Sequence, residues 1–285
     1  MLVVIDGTGE WFNKSYEKTM EGGFMKKIMR DSHHSPKEYF RGPSLTGIES
    51  GYIVAQVMNW IRQQLNNGAT PELFIAGYSR GGSVAIEVAG EIANVASMAS
   101  LLGDGPWCIL NRNIRCMALF DAVDRSYLDT KVIPYNVMHA YHALRDPKAG
   151  SRRSFSNTGL EHEMPGNLET KTFFCTHGAM GGLPWKGDHP TEVIGQQITI
   201  PIIKKTFSYK YRSETVTVTD DSGVSVFDIL RDEIGVSIGT EITRQLLTQD
   251  LDEKNGQEVW NWMFPRMLMT GMFSFSYSGG ASGSW

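Results

Sequence analysis

Short uninterrupted apolar runs recur along the chain at Leu2 to Ile5, Leu73 to Ala76, Met117 to Phe120 and Phe173 to Cys175, each stopped by Gly, Asp or His. Strands covered on both faces read this way, because neither side of the pleat needs polar residues. Between the runs the apolar positions take a helical period. Val54, Val57, Met58, Ile61 and Leu65 fall on one face, and Val84, Val88, Ile92 and Val95 on another. Strand alternating with helix predicts an α/β fold, a mostly parallel central sheet flanked by helices. His139 and His142 fall in a stretch read as helical.

Beyond His177 the pattern changes. Thr215 to Thr219 alternates with the two-residue period of a half-exposed strand, and Asp220-Asp221-Ser222-Gly223 is a turn signal. This region reads as a hairpin or lid outside the core sheet. The final stretch, "VWNWMFPRMLMTGMFSFSYSGGASGSW", concentrates Trp, Met and Phe before a Gly/Ser tail expected to fray. We find no internal repeat. The organisation expected is one domain over 1–285, with a core over about 1–187, a lid or C-terminal elaboration over about 188–275 and a tail over 276–285.

Composition narrows the function classes. A chain of 285 residues, 41% of them hydrophobic, can bury a full core. Lys and Arg number 27 against 31 Asp and Glu, a net charge of -4, so no basic footprint argues for nucleic acid. Cys108, Cys116 and Cys175 are too few and too irregular for a disulfide framework or a zinc site, and read as reduced, buried thiols. No metal or cofactor is expected. Leu2 to Ile5 lacks the basic flank and cleavage site of a secretory signal, and no apolar run approaches the roughly 20 residues that span a bilayer. The expectation is a soluble protein, cytoplasmic as synthesised, with transient membrane-surface contact and delivery by another export route left open.

Chemistry enters at Gly77-Tyr78-Ser79-Arg80-Gly81. The Gly-x-Ser-x-Gly spacing belongs to a nucleophile elbow, in which a strained turn between strand and helix lifts a serine above the carboxyl end of a sheet. The strand-like Leu73 to Ala76 before it and the helical Val84 to Val95 after it supply that context. An ordinary glycine-rich βα turn would give the same pentapeptide. A serine nucleophile needs a base, and the base an orienting acid, which follow the serine in the order acid, then histidine. Asp121 ends "CMALFD" and His177 ends "TFFCTH", both at predicted strand ends. Asp124 and His189 are their nearest substitutes. Asp121 as a turn former and His177 as a structural histidine are the plain alternatives. The oxyanion donors expected are the N–H of Arg80 and those of Gly7 and Thr8 after the first strand. An aspartyl-phosphate hydrolase would require a second aspartate where Val4 stands, and a P-loop a lysine where Ser83 stands.

In series, "IDGTGEWFN", "GPSLTG", "GYSRGG", "LFDAV", "HALRDPKAGSRRSF" and "FFCTHGAMGG" resemble the motifs of the α/β-hydrolase family that includes the catalytic domain of bacterial type VI secretion phospholipase effectors. The resemblance covers roughly residues 1 to 185. It implies an α/β-hydrolase fold and ester hydrolysis by a Ser79-His177-Asp121 triad, often on phospholipids. The sequence departs from that pattern at Ala179 and at Asp146-Pro147, where the family tends to carry further acidic residues. From about Gly187 onward no motif matches. The reading is therefore a serine ester hydrolase, carboxylesterase- or lipase-like, working through an acyl-enzyme on a small-molecule or lipid ester. The alternatives are a phospholipase effector acting on membrane lipids and a catalytically silent hydrolase-fold binding module.

Overall fold

The computed structural model describes residues 1–9, 13–44, 47–100, 105–123, 130–149, 151, 156–184, 193–194, 206–211, 214–219 and 247–273. Its centre is a six-stranded sheet in the order β2-β1-β3-β4-β6-β8, formed by β1 (Leu2–Ile5), β2 (Lys37–Phe40), β3 (Leu73–Tyr78), β4 (Ile114–Phe120), β6 (Ala140–Arg145) and β8 (Leu168–Phe173). The short strands β5 (Val132–Ile133) and β7 (Glu161–His162) pair with each other, β9 (Val193–Ile194) pairs with Leu247–Thr248, and α1 (Asn13–Met20) and α5 (Pro106–Asn111) are short helices. Every neighbouring pair is parallel. This is the α/β architecture the alternation predicted.

Two apolar layers explain why β1, β3 and β4 read as continuous apolar runs. Val3, Ile5, Leu73, Ile75, Met117 and Leu119 face one layer, where Val54, Val57 and Ile61 of α3 (Ser50–Asn66) and Val84, Val88 and Ile92 of α4 (Arg80–Ala99) cover them. Leu2, Val4, Phe74, Ala76, Ala118 and Phe120 point the other way. They meet Met25 and Ile28 of α2 (Phe24–Asp31), with Val259, Trp260, Met263 and Met267 of a C-terminal helix, Gln249–Met269. The three central strands are thus buried on both faces, while β8 runs along an edge and exposes most of its residues.

The chain leaves β1 toward β2 on one side and then returns to place β3 on the other. Loops leaving the carboxyl ends of β1 and β3 therefore diverge. In open parallel sheets the crevice at such a switch point is where ligands bind. The loop after β1 carries Gly7 and Thr8, and the turn after β3 carries Ser79.

Some elements differ from expectation and others follow it. The segment read as helical at His142 is the strand β6, and His139 lies just before it. With β4 on one side and β8 on the other, sheet pairing overrides the local pattern. The strand expected to reach Cys175 stops at Phe173. Thr215 to Thr219 lies in β11 (Glu214–Thr219), which pairs antiparallel with β10 (Thr206–Tyr211) in a sheet of its own. The expected turn at 220–223 and the tail at 276–285 lie outside the described residues. The aromatic C-terminal stretch follows the pattern of a core element: its helix packs on the central sheet, with Met263 and Met267 wholly buried. All three cysteines are buried and free. Among the described residues no helix is long and apolar enough to cross a membrane.

Candidate active site

Ser79 joins a strand buried at all six positions directly to the first residue of α4. Its φ of 55° and ψ of -128° lie where a side chain is strained, and the surroundings over-determine that conformation. The Ser79 N–H donates to the Phe120 carbonyl at 3.0 Å, and the Ser79 carbonyl accepts from Gly82 at 3.0 Å and Val123 at 3.2 Å. The flanking glycines are demanded by close approach. A Cβ on Gly77 would lie 2.7 Å from the Gly81 carbonyl oxygen, and one on Gly81 would lie 2.3 Å from that of Asp6. The sharp turn expected from the pentapeptide is thus present, pressed against the end of β1.

Asp121 follows β4 immediately and is, with Ser79, one of two non-glycine residues with positive φ among the described residues, at 46°. Its N–H bonds the Ala143 carbonyl of β6 at 2.8 Å. The carboxylate is wholly buried. Oδ1 accepts from Asn157 Nδ2 at 2.7 Å and from the Arg145 backbone at 3.3 Å, while Oδ2 meets His177 Nδ1 at 2.6 Å with the Arg145 guanidinium 3.7 Å away. Burial opposes the charge, but the positive field of Arg145 and the hydrogen bonds from His177 and Asn157 outweigh it. Together they hold the carboxyl well below the usual carboxylate range.

That ionised carboxylate fixes the imidazole. An acceptor at Oδ2 requires a proton on His177 Nδ1, which leaves Nε2 of the neutral ring to accept from Ser79 Oγ at 2.8 Å. His177 opens α6 (His177–Met180), a single turn capped by Thr176, whose Oγ1 accepts from the Ala179 N–H at 3.1 Å. Its backbone N–H donates to Ser151 Oγ at 3.1 Å. Tyr78 stacks on the imidazole at 5.1 Å between centroids, and its hydroxyl donates to the His177 carbonyl at 2.8 Å. The ring fits between Gly7 and Gly181, where any Cβ would come within 2.6 Å of it.

The expected oxyanion residues divide. Arg80 begins α4, so its N–H belongs to the first turn, whose donors have no acceptor within the helix and point out of its positive end. The Gly7 N–H, in contrast, donates to Asp6 Oδ1 at 2.7 Å. The Gly7 N–H is thus engaged within its own loop, by the side chain of the residue before it. Asp6 Oδ2 accepts from the Tyr39 hydroxyl at 2.8 Å, and the Tyr16 hydroxyl bridges the loop by donating to the Gly7 carbonyl at 2.7 Å and accepting from Gly42 at 2.9 Å. Burial pushes the Asp6 carboxyl up to about 6 and raises both phenols.

Ser79, Asp121 and His177 are therefore brought together by three separate turns. Asp124 and His189, their named substitutes, lie outside the described residues. Sequence reasoning missed Asn157, Arg145 and Tyr78 as supports, and it missed His142. The latter is wholly buried, accepts at Nε2 from the Ala122 N–H at 3.0 Å and sets its Nδ1 toward the Gly159 carbonyl at 3.2 Å. It therefore braces the turn that carries Asp121. Burial lowers its pKa to about 4, which keeps Nε2 an acceptor at neutral pH. The "HALRD" motif contained His142 and Arg145, but nothing local in it marks which side chains turn toward β4.

No family model matches the chain, and no curated protein matches it. The phospholipase-effector family that the motifs resemble is thus not among the matches. Among solved structures, a novel cutinase-like protein from Cryptococcus sp. aligns at 20% identity and a TM-score of 0.26, over 47% of this chain and 58% of that one. The match takes in less than two thirds of that protein's length, and at this level it bears on neither the site nor its chemistry.

Proposed function

We propose that the chain is a serine ester hydrolase with Ser79 as nucleophile, His177 as general base and acid, and Asp121 as the orienting acid. The observation that carries this reading is the continuous hydrogen-bonded series Ser79 Oγ, His177 Nε2, His177 Nδ1, Asp121 Oδ2, at 2.8 Å and 2.6 Å, with the serine on a strained elbow. His177 Nε2 takes the hydroxyl proton as Ser79 Oγ attacks the ester carbonyl carbon. The buried Asp121 carboxylate stabilises the imidazolium that forms. The tetrahedral oxyanion is met by the backbone N–H groups of Arg80 and Thr8. Collapse breaks the bond to the alcohol oxygen, which leaves with the proton from His177. Water, deprotonated by the same imidazole, then cleaves the acyl-enzyme.

Carboxylic ester hydrolysis is the reading the site supports, ahead of phospholipid hydrolysis. Trp260, Met263 and Met267, the aromatic and Met residues that a lipid-binding role for the C-terminal stretch would draw on, are buried in the layer beneath the sheet. Hydrolysis of p-nitrophenyl acetate and butyrate by wild type and Ser79→Ala tests the proposal. Turnover by wild type that disappears in the variant is the expected result. Equal turnover by both proteins contradicts Ser79 as nucleophile, and turnover by neither, with both folded, points to the silent binding module.

A further inference from the structure

The C-terminal helix reaches the histidine turn at three places. Asn255 Nδ2 donates to the Phe174 carbonyl at 2.6 Å, and Gly256 packs so closely on the turn that a Cβ would lie 3.0 Å from the Ala179 carbonyl oxygen. Between them sequence and space place Thr176, which donates both its N–H to Asp252 Oδ1 at 2.6 Å and its hydroxyl to Asp252 Oδ2 at 2.8 Å. Asp252 is wholly buried, and a buried carboxylate is costly unless hydrogen-bonded. Here both oxygens serve one residue, the one immediately before His177.

The chemistry gives these bonds a direction. A carboxylate only accepts, so the Thr176 hydroxyl must spend its hydrogen on Asp252, and its lone pairs cap α6 by accepting from the Ala179 N–H at 3.1 Å. A neutral group at 252 would release that constraint, because the threonine hydroxyl could then rotate away from the cap. We infer that Asp252 is a positioning residue for His177, acting through Thr176 to fix the turn from which the imidazole reaches both Ser79 and Asp121. The C-terminal helix is then part of the catalytic apparatus as well as of the core. The assignment rests on His177 being the base for Ser79.

Asp252→Asn keeps the side-chain volume and leaves one acceptor oxygen for the two Thr176 donors. Misplacing a catalytic group by about 1 Å costs about 10²-fold, so kcat for p-nitrophenyl butyrate should fall by about 10- to 100-fold with KM within about twofold. Thr176→Val, which keeps the backbone donor and loses the hydroxyl, should give a similar loss, and the double variant should lose little more than either alone, since both act through one bond. The low-field Nδ1–H proton resonance of His177 should broaden or shift in each variant, a change that reads positioning without turnover. If Asp252→Asn does not fold, Thr176→Val carries the test. Wild-type kcat and an unchanged His177 resonance in the folded variants would overturn the positioning role while leaving the hydrolase reading in place. A wild-type protein that neither hydrolyses the ester nor reacts at Ser79 would overturn both.

Discussion

Replacing Asp121 by asparagine exchanges one oxygen for a nitrogen and reverses one hydrogen bond. With the amide nitrogen turned toward Asn157, three N–H groups would converge: the new one, Asn157 Nδ2 at 2.7 Å and the Arg145 backbone N–H at 3.3 Å from the present Oδ1. The amide oxygen therefore stays on that side, and the nitrogen faces His177 Nδ1, 2.6 Å from the present Oδ2. The imidazole must then accept at Nδ1 and carry its proton on Nε2, so it presents a donor to Ser79 where an acceptor is needed. A triad locked in that tautomer loses about 10⁴ in kcat, equivalent to about 5 kcal/mol of barrier. Stability falls as well, because the Arg145 guanidinium, 3.7 Å away with 4% of its side chain exposed, loses a buried counter-charge. The assay is the initial rate of p-nitrophenyl butyrate hydrolysis, run below the lowered melting temperature on protein whose circular dichroism matches wild type. A folded Asp121→Asn protein within tenfold of wild-type kcat would refute the account of how the imidazole is held.

Two further predictions concern the surroundings of the triad. Burial raises Asp6 from 3.8 to about 6, so the folded state holds its proton more tightly and ionised Asp6 opposes folding increasingly as pH rises through that window. Asp6→Asn removes the charge, and its stability relative to wild type should increase by up to about 3 kcal/mol between pH 4 and pH 7; denaturant titrations showing a difference flat with pH contradict this. Gly181→Ala places a Cβ 2.5 Å from Tyr78 Cζ and forces the ring that stacks on His177 to move. A loss of about 1–3 kcal/mol and slower ester hydrolysis are expected, with Gly51→Ala in α3, where nothing lies within 4 Å of the added atom, as the control that loses neither.

What the amino-acid pattern reveals here follows the distribution of burial. The strands β1, β3 and β4 carry apolar residues on both faces because helices cover both, and such runs stand out without alignment. The elbow is local in sequence: its strand, serine, glycines and helix are contiguous, and close contacts that only glycine tolerates explain the spacing. The edge strands escape notice. Lys37–Phe40 and Leu168–Phe173 expose much of their surface, and their polar residues resemble those of loops. His142 reads as helical because its strand owes its shape to neighbours on both sides, contributed from distant parts of the chain. The Gly7 N–H looks like a spare donor until the preceding side chain is seen to fold back on it. Asp252 has no signal at all in the sequence, since 76 residues separate it from the threonine it holds.

The central claim, that the Ser79 hydroxyl is a nucleophile activated by His177, is tested most directly by mapping a fluorophosphonate adduct with tandem mass spectrometry in wild type and His177→Ala. A single adduct on Ser79 that forms with wild type and fails to form at a comparable rate with the variant is the predicted result. Absence of an adduct on folded wild-type protein, or one carried by a different residue, would contradict it.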